Sequence, residues 1–137
     1  MSLTVDRRDI LWVACDGDGI YAINNGKSTH FAPQKGKIPR TVMAMYCDKN
    51  DRLWMGTWLE GLWIMDLKSG NCRRIMLPGE DNGNAASVFS FEEDKLGKLW
   101  IATNGAGLFN VDLSDATLTT KPIAVRKQDS KDTDNVI

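Results

Sequence analysis

Histidine occurs once in this chain, at His30, and cysteine three times, at Cys15, Cys47 and Cys72. An odd number of cysteines at irregular spacing argues against a disulfide framework. With no CxxC pair and no His/Cys cluster, neither a metal site nor a cofactor is expected. His30 has no carboxylate or serine partner evident in the sequence and reads as a lone surface residue, so no catalytic residue is nominated. An excess of one charge is also lacking. The 17 Lys and Arg nearly balance 18 Asp and Glu, leaving a formal net charge of −1. That balance gives no electrostatic reason to expect nucleic acid or an acidic membrane surface as partner. No apolar run approaches a membrane span, and no basic-then-apolar leader stands at the start. Residues 1–3 read as a cloning remnant, so the compartment is not legible from the terminus.

What is present is a repeat. Asp6, Asp48 and Asp94 step together with Trp12, Trp54 and Trp100 and with Gly19, Gly61 and Gly107. From Asp6 to Asp48 is 42 positions and from Asp48 to Asp94 is 46. A period of this length marks stacked supersecondary units, and four short strands per period mark propeller blades. The expected fold is all-β, a β-propeller piece of about three four-stranded antiparallel blades cut within an inner strand. The expected bounds are 3–33, 41–78 and 85–123, followed by a return loop and the start of a further inner strand over 124–137.

Within each period the inner strand has its complete version over residues 41–48. A tight turn follows, with Asp9, Asp51 and Gly97 at matching places, residue types that tolerate a left-handed backbone. Strand two follows at residues 11–15, 53–57 and 99–103, apolar on both faces, as suits a sheet sandwiched between sheets. In this strand Cys15 replaces Thr57 and Thr103 and reads as a small buried residue. Strand three begins at the anchoring glycine, which permits close backbone approach or an unusual conformation. Strand four is expected over 29–32, 72–77 and 117–123. It is more polar, with Arg73, Arg74, Lys121 and Pro122 guarding an edge. Trp12, Trp54 and Trp100 read as core, and Met43, Met45 and Met55 as packing of inner strands.

Residues 135–137 align with 41–43, the first half of an inner strand, and residues 2–6 with 44–48, the second half. Three blades cannot close a ring, since propellers need about four or more. The remaining blades of a larger protein are one expected partner. A second copy joined head to tail is the other, with residues 135–137 of one chain completing the inner strand begun at residues 2–6 of its partner.

The run from Asp48 to Trp63 and that from Asp94 to Phe109 follow the pattern D-x-x-[G/D]-x-L-W-[I/M/V]-[G/A]-T-x-x-x-G-L-[W/F/Y], and Asp6 to Tyr21 departs from it at Cys15. This pattern resembles the two-component regulator propeller repeat. The resemblance implies a segment of the periplasmic sensor region of a membrane-anchored hybrid histidine kinase, of the kind common in Bacteroides-type bacteria. It also implies an oligosaccharide as the small ligand, with no membrane contact by the segment itself. No kinase, receiver or DNA-binding motif is present.

In propellers the loops between strands two and three, and from strand four to the next inner strand, open on one face. Here they hold residues 16–18, 58–60 and 104–106, with 37–40 and 80–84. Sugars are held by aromatic faces and by planar amides, carboxylates and guanidinium groups. The candidates of those types are Trp58, Glu60, Arg40, Asn82, Asn84, Asn104 and Asp16. Trp58 stands out because it replaces Asp16 and Asn104, although a lid on the packing between blades would also use it. Asp16-Gly17-Asp18-Gly19 lacks the further carboxylates of a calcium loop. Glu92, Glu93 and Asp94 form no acid pair, because no group can be placed opposite them. A protein-interaction scaffold and a propeller lyase or hydrolase are the alternatives to a sensor.

Overall fold

The computed structural model describes residues 1–80 and 85–124. The expected start of a further inner strand at 135–137 lies outside them. The described residues form three antiparallel four-stranded sheets, each a simple meander, with no helix. Blade 1 is β1 (Ser2–Val5), β2 (Leu11–Ala14), β3 (Ile20–Asn24) and β4 (Lys27–Phe31). Blade 2 is β5 (Val42–Cys47), β6 (Arg52–Thr57), β7 (Leu62–Asp66) and β8 (Cys72–Ile75). Blade 3 is β9 (Ser87–Glu93), β10 (Lys98–Asn104), β11 (Leu108–Asp112) and β12 (Thr120–Ile123). The inner strands β1, β5 and β9 touch in succession, which makes the sheets radial blades of a propeller.

The turns follow from their residue types. Asp9, Asp51 and Gly97 all have positive φ, of 63°, 56° and 80°. Asn25 and Gly26, at φ 50° and 79°, close the β3–β4 hairpin in the left-handed conformation that such a two-residue turn requires. Strand β12 starts at Thr120, later than expected, because the Asp115 carboxylate accepts bonds from the Thr117 amide and hydroxyl and holds a turn there. Pro122 sits opposite Phe109 in an edge strand, where its missing N–H costs no ladder bond.

Two cores fill the two joints. Between blades 1 and 2 lie Trp12, Ala14, Ile20, Leu53, Met55, Trp63 and Met65. Trp54, Leu62, Ile64, Val88, Leu99, Ile101, Phe109 and Val111 are in the core between blades 2 and 3. Strand β6 is therefore buried on both faces, as its unbroken apolar run requires. In β2 and β10, of the same composition, Leu11, Val13, Trp100 and Ala102 stay half-buried. Trp100 is thus less enclosed than its counterparts, because no described blade covers its side of β10.

The repeated Asp and Trp are bonded partners, which the sequence reading had not assigned. The indole Nε1 of Trp12, Trp54 and Trp100 donates to Oδ2 of Asp6, Asp48 and Asp94 at 3.0, 2.8 and 2.9 Å. Oδ1 of the same carboxylates accepts the two backbone amides of the turn: Arg8 and Ile10, Asn50 and Arg52, Leu96 and Lys98. One side chain thus closes the β-turn and seats the tryptophan on strand two. Burial alone pushes the Asp6 carboxyl up, but the Trp12 indole, the two amides and the Arg8 guanidinium outweigh it and hold the group below its ordinary range. At Asp94 the Trp100 indole leads and the shift is also downward.

The motif threonine has a defined task too. Thr57 Oγ1 donates to the Gly61 carbonyl at 2.6 Å and accepts the Glu60 amide; Thr103 repeats this with Gly107 and Ala106. Blade 1 has Cys15 at this position and keeps only main-chain bonds there, Cys15 N to Gly19 O and Asp18 N to Cys15 O, both 3.3 Å. Cys15→Thr should therefore stabilise the chain by about 0.5–1.5 kcal/mol, read as a higher urea midpoint. An unchanged or lower midpoint would show that the bond is not formed in blade 1.

Candidate functional site

The loops on the strand two-to-three side border a cleft of about 430 Å³ between blades 2 and 3, lined by Trp58, Leu59, Glu80, Ser87, Asn104 and Ala106 among others. Of the seven candidate residues it brings together Trp58 and Asn104. Arg40 and Glu60 line a separate cleft of about 270 Å³ with Pro33, Gln34 and Ile38. Asp16 is exposed on blade 1 and lines neither. Asn82 and Asn84 lie outside the described residues.

Trp58 is 47% exposed. Its ring stacks on Phe89 of the next blade, centroids 6.0 Å apart and planes 24° from parallel. Phe89 is brought there by a bulge: β9 slips register against β10 between Ala102 and Thr103, leaving Phe89 unpaired. The same slip occurs in blade 2 at Met43, which is 37% exposed instead of packed as its place in an inner strand had implied. Leu59 is 60% exposed and has φ 60°. Its counterparts in the repeat are Gly17 and Gly105, at φ 73° and 84°. A left-handed backbone costs a leucine roughly 1–2 kcal/mol relative to glycine. The Leu59 amide is held by Ser87 Oγ at 2.8 Å. Blade 2 thus carries a strained loop that presents a leucine and a tryptophan where the other blades have Gly with Asp or Asn.

The two carboxylates near these clefts are committed to the scaffold. Glu60 Oε1 accepts the amides of Arg40 and Thr41 at 2.8 and 3.2 Å, tying the return loop to the strand two-to-three loop. Glu80 accepts the Leu77 and Ala86 amides and pairs with Arg74 at 3.0 Å. In the main cleft Asn104, the Ser87 hydroxyl and main-chain groups remain to orient a polar ligand beside the Trp58–Phe89–Leu59 platform.

One expectation outside the clefts is corrected, and one acidic residue gains a partner. His30 is not alone: its ring stacks on Tyr21 at 4.1 Å, and its Nε2 lies 2.7 Å from the Asp18 carbonyl and 3.4 Å from Asp18 Oδ1. The topology makes this cluster, since Tyr21 and His30 are partners across β3 and β4. Glu93 likewise has a partner, the Tyr46 hydroxyl of blade 2 at 2.5 Å; burial above all, and then this bond, push the phenol up. No group of three or more metal-ligating side chains occurs among the described residues. Burial pushes the Cys47 and Cys72 thiols up to about 11 and about 12, which disfavours the thiolate form.

The Two component regulator propeller family model matches residues 36–59 and 82–105. The chain carries two-component regulator propeller repeats. Both matched segments end in the loop that lines the main cleft, at Leu59 and Gly105. Two solved structures share the fold of these repeats. The extracellular domain of BT3049 of B. thetaiotaomicron, titled a hybrid two component system, matches at 30% identity over 83% of this chain with a TM-score of 0.69. The extracellular domain of BT4673 of the same organism, titled a one component system, matches at 26% identity over 88% with a TM-score of 0.72. This chain spans 14% and 16% of those two chains. No curated protein matches it.

Proposed function

We propose that these regulator propeller repeats belong to the extracytoplasmic sensor region of a hybrid two-component system and that the cleft between blades 2 and 3 takes an oligosaccharide. The repeats and the two extracellular neighbours support the sensor reading. The observation that carries the ligand is Leu59. A left-handed leucine beside a half-exposed tryptophan is costly to the fold, and strain of this kind collects at binding loops. Stacked aromatic faces suit the C–H surface of a sugar ring, while Asn104 and Ser87 suit its hydroxyls. Binding across two blades would bias how they pack, and so the state of an attached kinase.

Titration with a panel of oligosaccharides, followed by tryptophan fluorescence and calorimetry, tests the reading. Trp58→Ala should weaken binding about tenfold or more. Leu59→Gly should stabilise the fold by roughly 1 kcal/mol and weaken binding at the same time. Absence of glycan binding together with tight capture of a protein on this face would favour the scaffold alternative.

A further inference from the structure

We propose that a second cleft at the joint of blades 2 and 3 binds a free α-amino acid with an apolar side chain. This cleft, of about 370 Å³, is lined by Arg52, Ile64, Asp66 and Arg73 of blade 2 and by Ala116 and Leu118 of blade 3, among others. It stands at the other end of β6 from the main cleft, since Arg52 opens that strand and Thr57, beside Trp58, closes it. The register of blade 2 assembles its charged wall. Ile64 lies opposite Arg73 across β7 and β8, and Asp66 lies opposite Arg52 across β6 and β7. Ile64 is in the core of this joint, so all four side chains share the face turned to blade 3. Arg73, expected to guard an outer edge, therefore faces a cleft. Asp66 and Arg73 are diagonal neighbours on that face, a spacing that long side chains span.

Three features of the cleft match three parts of one ligand. Arg73 is in no ion pair among the described residues. Arg52 gives its Nε to Asp48 and its Nη2 to the Leu113 carbonyl, which leaves Nη1 uncommitted among the described residues. Guanidinium groups so placed suit a carboxylate. Asp66 accepts the Lys68 and Ser69 amides on Oδ1 alone, and its Oδ2 suits an ammonium group. Ile64 and Leu118, 4% and 5% exposed, form an apolar floor. Leu118 holds that place with φ 51°. The other non-glycine residues with positive φ among the described residues are Asp9, Asn25 and Asp51, which close turns, and Leu59 of the main cleft. A left-handed leucine thus stands in each of two clefts of this joint, and such strain collects at binding sites. A molecule with a carboxylate, an ammonium group and an apolar chain on one carbon engages all three features together. Charge agrees: Arg52 and Arg73 balance Asp48 and Asp66, a balance that a zwitterion keeps and a simple acid or amine upsets.

Calorimetric titration of the 137-residue chain with L-leucine tests this. Leucine should bind at a single site. N-acetylleucine lacks the ammonium group, leucinamide the carboxylate and glycine the side chain, and each should bind about tenfold more weakly or worse. Arg73→Gln should weaken leucine binding about tenfold or more and leave the urea midpoint in place, since no ion pair among the described residues is lost. Asp66→Asn keeps an oxygen for the Lys68 and Ser69 amides, so the turn stands, but it should abolish the preference for leucine over N-acetylleucine. Absence of leucine binding would overturn the proposal. So would leucine binding indifferent to Arg73→Gln, or equal binding of leucine and its two blocked analogues. Loss of leucine binding in Trp58→Ala would overturn it too, by placing the amino acid in the main cleft.

Discussion

Replacing Asp48 by alanine should cost about 3–5 kcal/mol of folding stability, the loss that follows when one partner of a buried charged network is removed. Asp48 is 2% exposed. Its Oδ2 accepts the Trp54 indole at 2.8 Å and the Arg52 guanidinium at 2.6 Å, and its Oδ1 accepts the amides of Asn50 and Arg52. Alanine leaves all four donors without that acceptor beneath the blade 2–3 joint. Arg52 also reaches the Leu113 carbonyl of blade 3 at 2.9 Å, so the damage passes to the neighbouring blade. Against total stabilities of about 5–15 kcal/mol, a loss of this size leaves little folded reserve. The same substitution should cost less at Asp6, where Arg8 stands 3.7 Å from the carboxylate, a longer and weaker contact than Arg52 makes with Asp48. It should cost least at Asp94, where water can reach the donors left behind. Urea unfolding of the three variants should rank them in that order. Equal losses at all three would show that the turn alone uses the carboxylate and that the joint does not.

Gly19→Ala is the second large effect. Gly19 has φ +72°, and a Cβ there would stand 2.3 Å from the Phe31 carbonyl oxygen, a main-chain atom of β4 that no rotamer change can move. Its amide also donates to the Arg40 carbonyl at 2.9 Å, so a shift of the glycine loosens the link to the return loop that enters blade 2. The left-handed backbone accounts for about 1–2 kcal/mol and the forced displacement for about 1–3 kcal/mol more. Gly107 supplies the control. Its φ is +98°, but nothing among the described residues lies within 4 Å of an added Cβ, so Gly107→Ala should show the backbone cost alone. A Gly107→Ala loss as large as that of Gly19→Ala would mean that close approach plays no part in the choice of glycine.

The repeat skeleton was legible because each member performs a local task. Asp48 bonds to residues two, four and six positions on, and Gly61 accepts from Thr57 four positions back, so the spacing is written in one stretch of chain. The role of the aspartates was open to the same reading, since aspartate and tryptophan recur six apart three times. Leu59 carried a signal as well, standing where Gly17 and Gly105 stand. Phe89 gave none. Its position beside Trp58 depends on a register slip in β9 and on a neighbouring blade 31 residues away in sequence. Glu60 was misleading for a related reason: its carboxylate is engaged by two amides of another loop, which residue type and loop position do not reveal.

By itself, then, the amino-acid order determined the sheet, its four strands, its turns and its threefold repetition, because these rest on bonds that close within some twenty residues. The tertiary structure decided which of three similar blades is buried on both flanks and which tryptophan is left half-covered. It also decided that Trp58 meets Phe89 while Arg40 and Glu60 fall in another cleft. Those outcomes depend on what stands beside a blade, and a neighbour's distance in space is not encoded in the spacing of any single repeat.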